Sequence, residues 1–185
     1  MSLTQYYTAT TLDGFIADPD NSLEWLFTRD QDLAGLLNYA DFIAGVGALA
    51  MGRTTYEWIL DHEFAGKATS EWKWPYDIPC WVFTNHDLTV VPGAPIEFVS
   101  GDVAPVHTEM AAAAGGRNVW IVGGGDLVGQ FAEAGLLDEV IVYIAPATLG
   151  AGAPLLSRRV ELRLEETGRN GDFVAARYSV VRLSD

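Results

Sequence analysis

The chain has 185 residues, 49% of them hydrophobic and 19% charged, which favours a single domain over residues 1–185 with a substantial core and excludes an intrinsically disordered chain. A formal net charge of −14 argues against nucleic acid and anionic membranes as partners. The single cysteine, Cys80, leaves no intrachain disulfide, and neither a signal-peptide pattern at Met1–Thr10 nor a bilayer-spanning apolar run is visible, so a cytoplasmic location is predicted.

The first third of the chain predicts two strands and an amphipathic helix. Leu3–Thr11 has the β-branched and aromatic bias of a strand, and Asp13-Gly14 then marks a turn. Gln31–Gly45 carries apolar residues at helical spacing, which predicts a helix with one apolar face. Ala48–Met51 is a short apolar strand that ends at Gly52.

A capping box is predicted directly after that strand. Thr54 would be the N-cap residue, and Glu57, three residues later, would complete the box. The helix would therefore enter at Arg53–Thr54 and run to about Leu60, and a polar loop would follow over Glu63–Tyr76.

The rest of the chain continues the alternation and ends in a hairpin. Strands are predicted at Ile78–Thr84, Ile96–Val99, Asn118–Val122 and Val140–Ala145, and helices near Val106–Ala114 and Asp126–Ala134. Val160–Thr167 and Phe173–Arg182 would form a hairpin around Asn170-Gly171, which suits a type I′ turn. The pattern predicts an α/β fold: a mostly parallel central sheet, an antiparallel C-terminal edge hairpin and helices on both faces.

The segment Val119–Gly125 (VWIVGGG) is a buried-type strand that runs into three glycines and then a helix. Glycines let the backbone approach a ligand closely, and a helix N-terminus offers unpaired amides to a pyrophosphate. The alternative is a tight turn that serves packing alone. The pattern is not a Rossmann fingerprint, because Val128 stands where its third glycine would be and too few strands follow.

A second strand-to-helix turn lies in Ala50–Glu57 (AMGRTTYE). Arg53 can pair with a phosphate as a planar fork, and the threonines after it offer further donors. The alternative is a helix cap beside a solvated arginine. Two such turns with phosphate-binding chemistry fit the two ends of a dinucleotide better than coincidence does.

These segments together resemble the dihydrofolate reductases. Met51–Glu57 (MGRTTYE) is similar to their MGR-x-T-[WY]-E motif, and Val119–Phe131 (VWIVGGGDLVGQF) is similar to their glycine-containing strand-to-helix segment. The Asp13-Gly14 turn, Gly135–Glu139 (GLLDE) and Pro146–Gly152 (PATLGAG) indicate one branch: the C-terminal reductase domain of bacterial riboflavin biosynthesis and its stand-alone relatives. The resemblance covers nearly the whole chain and implies the dihydrofolate-reductase-like fold.

The resemblance implies a nicotinamide dinucleotide as cofactor. The cofactor-binding residues that it implies are Thr10, Gly52, Arg53, Thr54, Thr84, Asn85, Val122, Gly123, Gly124, Gly125, Asp126, Leu127 and Val128. Arg53 would favour NADPH over NADH, although the position after Thr84, which is often basic in the family, is Asn85 here. A homodimer is also implied by the family.

The substrate is predicted only by class: a pterin-like, pyrimidine or other polar heterocyclic or carbonyl compound that accepts hydride. Folate reductases place an acid in the first helix, but gapless counting puts Leu36 and Leu37 there, and Asp32 would need an insertion. Asp13 and Trp25 are the catalytic candidates, with Asp13 favoured as a turn residue.

Two further function classes stay open, and a metal centre is not expected. The first alternative is a non-catalytic nucleotide-binding protein with the same fold, and the second is an interaction domain whose glycines serve packing. His62, His86 and His107 are scattered without the spacing of metal ligands, so no metal site is predicted.

Overall fold

The computed structural model describes residues 2–182, so the predicted domain over 1–185 includes four residues, 1 and 183–185, that lie outside the described part. The strands within it are β1 (Thr4–Thr11), β2 (Phe15–Ala17), β3 (Val46–Gly52), β4 (Cys80–Phe83), β5 (Ile96–Val99), β6 (Asn118–Gly123), β7 (Glu139–Ala145), β8 (Ala153–Pro154), β9 (Leu162–Asn170) and β10 (Phe173–Val180). The helices are α1 (Glu24–Phe27), α2 (Tyr39–Ala44), α3 (Arg53–Phe64), α4 (Val103–Ala113) and α5 (Gly125–Glu133).

Eight strands form one sheet in the order β5-β4-β3-β6-β1-β7-β10-β9, and β2 pairs with β8 in a small separate sheet. The neighbours from β5 to β7 are parallel, whereas β10 runs antiparallel to both β7 and β9. The predicted fold class is therefore confirmed: a mostly parallel sheet with an antiparallel edge pair. All six parallel strands bring their carboxyl ends to the same edge, where open α/β sheets bind ligands.

The core occupies both faces of the large sheet, because side chains alternate along each strand. Ala50 of β3 packs with Met110 of α4 and Phe131 of α5 on one face. Its neighbour Met51 packs with Tyr56 of α3 on the opposite face. Met51, Met110 and Phe131 are fully buried, which contributes about 1.5–3 kcal/mol apiece.

The predicted helix over Gln31–Gly45 is wrong for its first half. The helix begins at Tyr39, because Asn38 caps it by accepting a hydrogen bond from the main chain of Asp41. Leu37 has a φ of 59°, which a continuous α-helix cannot contain. Leu33, counted into the apolar stripe, is 79% exposed.

The residues before that helix follow the side chain of Asn170 instead. Its amide oxygen accepts from the main chain of Asp32 at 2.8 Å, and its amide nitrogen donates to the carbonyl of Leu36 at 3.1 Å. The Tyr143 hydroxyl donates to the same Leu36 carbonyl at 2.8 Å. A Cβ at Gly35 would lie 2.6 Å from the Asn170 amide nitrogen, so glycine is needed for this approach. Tertiary hydrogen bonds thus override the helical periodicity.

The predicted capping box is also wrong. The N-cap residue of α3 is Gly52 rather than Thr54, and no side chain caps the helix. Glu57 lies one turn into the helix, where its carboxylate contacts Arg53 at 3.4 Å. The helix continues to Phe64, past the predicted end at Leu60, because Phe64 is buried in the core on that face.

The C-terminal hairpin is confirmed, but its turn is one residue later than predicted. Asn170 pairs with Phe173, which leaves Gly171-Asp172 as the two-residue turn. Gly171 has a φ of 59°, and Asp172 is not among the positive-φ residues, so the turn cannot be type I′ and fits type II′. A Cβ at Gly171 would lie 2.1 Å from the carbonyl oxygen of Asp30.

The other predicted strands and helices are present, with ends shifted by a few residues. The short pair β2 and β8 carried no strand signal because neither segment is long enough to show alternation. Within residues 2–182, no helix combines the length and apolarity that a membrane crossing requires.

Candidate functional site

Two strand-to-helix turns touch each other at the carboxyl edge of the sheet. Because β3 and β6 are parallel neighbours with Met51 opposite Gly123, the turns into α3 and α5 lie side by side. A Cβ on Gly52 would lie 3.7 Å from the carbonyl oxygen of Gly123, which shows how close the two turns approach. The peptide bond between Gly123 and Gly124 is cis.

Both helices begin with a glycine N-cap that offers no side-chain acceptor. Gly52 precedes α3 and Gly124 precedes α5, and neither helix has a side-chain cap hydrogen bond. The first amides of each helix are therefore free to donate to a ligand. Two positive helix ends that meet at one place favour an anionic group there.

The three consecutive glycines differ in what they are needed for. Gly123 has a φ of 146°, which side-chain-bearing residues rarely adopt. A Cβ on Gly125 would lie 2.3 Å from the carbonyl oxygen of Pro154, so packing alone explains that glycine. For Gly124, the nearest atom to a Cβ is a methyl carbon of Ile16 at 3.9 Å. A side chain at 124 has room, and that room is the candidate ligand site.

A cavity of about 900 Å³ opens in front of these turns, large for a small-molecule site, for which about 300–1,000 Å³ is typical. One end, here called the glycine end, is formed by Gly52–Thr55 and Gly123–Leu127. The other, here called the aromatic end, is lined by the rings of Tyr7, Phe27, Tyr39, Trp58, Tyr76 and Trp120. Trp120 lies three residues before Gly123 on β6, about 10 Å away along the strand, whereas Trp58 lies one helical turn after Thr54 on α3.

Most of the predicted cofactor residues line this cavity. Those that do are Gly52, Arg53, Thr54, Val122, Gly123, Gly124, Gly125, Asp126 and Leu127. Thr10 is buried and donates a hydrogen bond to the Phe15 carbonyl, and Val128 is fully buried in the core. Thr84 and Asn85 follow the end of β4 just outside the cavity, where the Thr84 hydroxyl bonds to His86.

The two catalytic candidates also lie outside the cavity lining. Asp13 accepts hydrogen bonds from the Thr11 hydroxyl at 2.5 Å and from the main chain of Leu149 and Gly150. The Thr11 bond, followed by the Gly150 amide, holds the pKa of the Asp13 carboxyl below its usual range. Trp25 packs against the β7 and β10 side chains instead of the cavity.

Arg53 is the one cationic side chain that lines the cavity within residues 2–182. It is about half-exposed, and its partner Glu57 is equally exposed, so the pair is weak and can open to a ligand. Arg158, which was not among the predicted site residues, lies beside α5. Its guanidinium is held by Asp126 and Glu133, both at 2.7 Å. Arg117, next to Asn118 at the opposite end of β6, is far from the turns.

Sequence analysis missed the aromatic end, because its residues come from strand, loop and helix segments far apart in the chain. Tyr39 and Tyr76 both meet Trp120, at ring-centroid distances of 6.0 and 5.8 Å. Phe27 and Trp58 form a wall of near-parallel rings with centroids 6.2 Å apart. The usable signal was the density of aromatic residues, which says that rings cluster but not where.

Burial raises the pKa of the Tyr7, Tyr39 and Tyr76 phenols, so all three are neutral hydrogen-bond donors at physiological pH. Tyr7 donates to the carbonyl of Leu37 at 3.1 Å. Tyr39 and Tyr76 have no main-chain acceptor within the described residues, and their phenols influence each other's pKa, which indicates that they are close.

Within residues 2–182, no carboxylate lines the aromatic end, although the Glu63 carboxylate is close enough to act on the Tyr76 phenol. Leu36 and Leu37, at the positions where folate reductases have their acid by gapless counting, pack against β7 and β10. Asp32 points to the segment that Asn170 holds, and its carboxylate accepts from the main chain of Ala34. The sequence-based reason to doubt folate is therefore also visible in the fold.

Metal and thiol chemistry find no support among the described residues. No group of three or more His, Cys, Asp or Glu side chains there is arranged to hold a metal ion. The Cys80 thiol is buried in β4, and burial raises its pKa, so it stays protonated and unreactive.

Comparisons with known proteins show which family and fold the chain is similar to. The model of the RibD C-terminal domain family matches residues 77–171. The chain is 33% identical over 181 residues to the uncharacterized protein YwjB of Bacillus subtilis (strain 168), which spans 95% of this chain and 96% of that protein. A candidate riboflavin biosynthesis protein from Shewanella sp. PV-4 has a similar structure, with a TM-score of 0.79, 25% identity, and coverage of 97% of this chain and 99% of that chain.

A more distant structure shows the same fold. It is the diaminohydroxyphosphoribosylaminopyrimidine deaminase/5-amino-6-(5-phosphoribosylamino)uracil reductase from Thermotoga maritima, with a TM-score of 0.61 and 15% identity. The match covers 97% of this chain but 57% of that one.

Proposed function

Because this chain belongs to the RibD C-terminal domain family, we propose that it is an NADPH-dependent reductase that transfers hydride to a small heterocyclic or carbonyl substrate. The family match and the full-length structural likeness support a fold and family like those of the riboflavin-pathway reductases. The cofactor and the reaction are the proposal.

One observation carries the proposal: two uncapped helix N-termini meet at one end of a cavity that is large enough for two ligands. A dinucleotide pyrophosphate is an anion that accepts several hydrogen bonds, which is what free helix amides provide. In a chain with a net charge of −14, such local donors have to overcome the field of the whole molecule. The room beside Gly124 supports the same assignment, because a phosphate can approach the backbone there.

The residues present fit the cofactor, and different residues would contact its different parts. When bound, the reduced nicotinamide supplies the hydride. The amides of the glycine end would hold the pyrophosphate, and Arg53 would meet the 2′-phosphate that distinguishes NADPH from NADH. The aromatic end would orient the acceptor ring and exclude water from it. Because no described carboxylate lines that end, the proton that completes the reduction would come from water or from the substrate.

A non-catalytic nucleotide-binding protein is the second candidate, and the missing carboxylate favours it. The two functions separate in one pair of measurements. Calorimetry with NADPH reports binding, and steady-state oxidation of NADPH with a panel of pterins, pyrimidines and cyclic ketones reports turnover. Binding without turnover of any acceptor would favour the second candidate.

The experiment that tests cofactor binding is the substitution Gly124→Val. The site has room for a side chain and a φ of −86°, so the variant should fold, but its side chain would occupy the space proposed for the pyrophosphate. We expect NADPH binding to weaken about tenfold or more, because a charged group loses hydrogen bonds.

The matched control is Gly45→Val at the end of α2, where φ is −84° and the nearest atom to a Cβ is 3.4 Å away. It should bind NADPH like the parent. Near-ultraviolet circular dichroism would check that both variants fold. A folded Gly124→Val that binds NADPH as tightly as the parent would show that the assignment is wrong.

A further inference from the structure

The aromatic end of the cavity is built to contact a flat ring. The Trp58 indole and the Phe27 ring are inclined by 23° to each other at the cavity wall. Trp120 also lines the cavity, and the rings of Tyr39 and Tyr76 contact it edge-on. Planar aromatic walls favour planar ligands, because stacked and edge-on contacts add about 0.5–1.5 kcal/mol per pair to ordinary apolar burial.

Among the described residues, no charged side chain lines the aromatic end, although the His62 ring stacks on Trp58 and Phe27 outside the cavity lining. Within residues 2–182, the charged side chains that line the cavity are Arg53 and Asp126, and both lie at the glycine end. Arg53 faces Glu57, and the Asp126 carboxylate is bound by Arg158 and Gln130. A phosphate or a protonated ring at the aromatic end would therefore lie in an apolar site without a partner.

Burying a charged group at the aromatic end would cost free energy, and the negative net charge of the protein further disfavours anions. Burial of an unpaired charged group is among the least favourable transfers in proteins. The net charge of −14 also lowers the local concentration of any anion that is not captured by specific donors. The glycine end has such donors in its free helix amides, and the aromatic end has none of that kind.

The polar groups that the aromatic end does offer are phenols. Tyr39 and Tyr76 lie within hydrogen-bond reach of each other, so one hydroxyl proton is used within the pair and the other is available to a ligand. Their raised pKa values keep them protonated, which makes them neutral donors. The free donor of this pair suits a carbonyl oxygen, and it does not compensate a full negative charge.

We infer that the substrate is a flat, uncharged ring compound that presents a carbonyl acceptor to the Tyr39–Tyr76 pair and carries no phosphate group. The reaction in this inference rests on the proposed function, whereas the binding of the ring compound does not depend on it. In the reaction, a hydride adds to the carbonyl carbon and the C=O electron pair moves to oxygen. That oxygen takes one proton from water, so the product is an alcohol and NADPH becomes NADP⁺.

The test compares two ligands that differ by one fixed charge, isatin and isatin-5-sulfonate. Both are flat ring ketones, and the sulfonate stands in for a phosphate. Calorimetric titration of the intact protein, alone and with saturating NADP⁺, gives the two dissociation constants. We expect isatin to bind and the sulfonate to bind at least about tenfold more weakly, because its charge lacks a partner.

The variant Phe27→Lys adds a cation at the mouth of the aromatic end, on a side chain that is 59% exposed and therefore tolerant of substitution. It should reduce severalfold the ratio of the dissociation constants of isatin-5-sulfonate and isatin. Leu33→Lys is the matched control, because Leu33 is 79% exposed and does not line the cavity, and it should leave that ratio unchanged.

Several outcomes would overturn the inference: equal or tighter binding of the sulfonate, binding of neither compound, or an equal effect of both lysine variants. A sulfonate preference that disappears in Arg53→Ala would mean that Arg53 serves the substrate. If only the proposed function is wrong, the protein would still bind isatin more tightly than the sulfonate but would not bind NADPH.

Discussion

Gly124 and Gly125 are adjacent glycines that have different structural roles. At Gly125 a side chain would collide with the carbonyl of Pro154, so the residue is fixed by packing. At Gly124 a side chain would meet only ordinary contact with Ile16 and would otherwise face the cavity. The sequence shows three glycines and cannot separate these roles, since the colliding residue lies about thirty positions later in the chain.

Arg53 is the residue on which cofactor choice depends. We predict that Arg53→Ala weakens NADPH binding about tenfold to a hundredfold and leaves NADH binding nearly unchanged, because a charge-assisted hydrogen bond is worth about 1.5–3 kcal/mol. The loss should shrink as salt increases, because the side chain is half-exposed. Calorimetry with both cofactors at low ionic strength would measure the ratio of their dissociation constants.

Glu57→Gln is the natural partner for that experiment. It removes the carboxylate that faces Arg53 at 3.4 Å, so NADPH should bind as tightly as to the parent or more tightly. If Arg53→Ala weakens both cofactors equally, the arginine contacts the shared pyrophosphate, and the preference for NADPH loses its basis in this structure.

At the scale of elements, the strand-to-helix turns were predictable and the segment before α2 was not. The glycines and the apolar runs of β3 and β6 encode those turns locally, within about ten residues. The path of residues 31–38 depends instead on Asn170, which is 2% exposed and lies on the C-terminal hairpin. Helical spacing in that segment is real, but distant hydrogen bonds decide its conformation.

The same dependence predicts the effect of Asn170→Ala. The substitution leaves the Asp32 amide without its acceptor and removes one of the two donors to the Leu36 carbonyl. Because each lost hydrogen bond contributes about 0.5–1.5 kcal/mol and the Asp32 amide lies near solvent, we expect the free energy of unfolding to fall by about 1–3 kcal/mol. Urea denaturation would measure it.

Two comparisons make that measurement specific. Tyr143→Phe removes one hydroxyl bond to the same carbonyl and should cost about 1 kcal/mol. Asn85→Ala, at an exposed site, should change the free energy of unfolding by less than about 0.5 kcal/mol. A loss at Asn170 no larger than that at Asn85 would show that the network does not hold the segment.

At the scale of the whole molecule, the order of elements was enough to predict the fold class. Alternation predicts parallel strands with helices on both faces, and the terminal hairpin predicts the antiparallel edge. The cavity was predictable at its glycine end alone, since local motifs mark that end. Its aromatic end forms when β1, β6, α1, α2, α3 and the segment after α3 come together, and no local pattern records that assembly.

The outer strands leave an apolar surface that the sequence had not located. Val174 of β10 and Leu164 of β9 are 50% and 53% exposed. Tyr178 lies opposite Leu164, and Ile144 of β7 lies opposite Val174, so the four side chains share one face of the sheet. An exposed apolar surface of this kind on an outer strand pair is typical of a subunit contact.

We therefore predict a homodimer that buries this surface across a two-fold axis. Light scattering at micromolar concentration should give a mass twice the 20.1 kDa of one chain. Leu164→Glu should shift the mass toward that of a single chain, because it would place a charge in the contact without disturbing the buried core. Val90→Glu is the matched control, at 62% exposure in a loop that lies outside the strand pair, and it should stay dimeric. A parent protein that scatters as a single chain would contradict the prediction, and a dimer that survives Leu164→Glu would place the contact elsewhere.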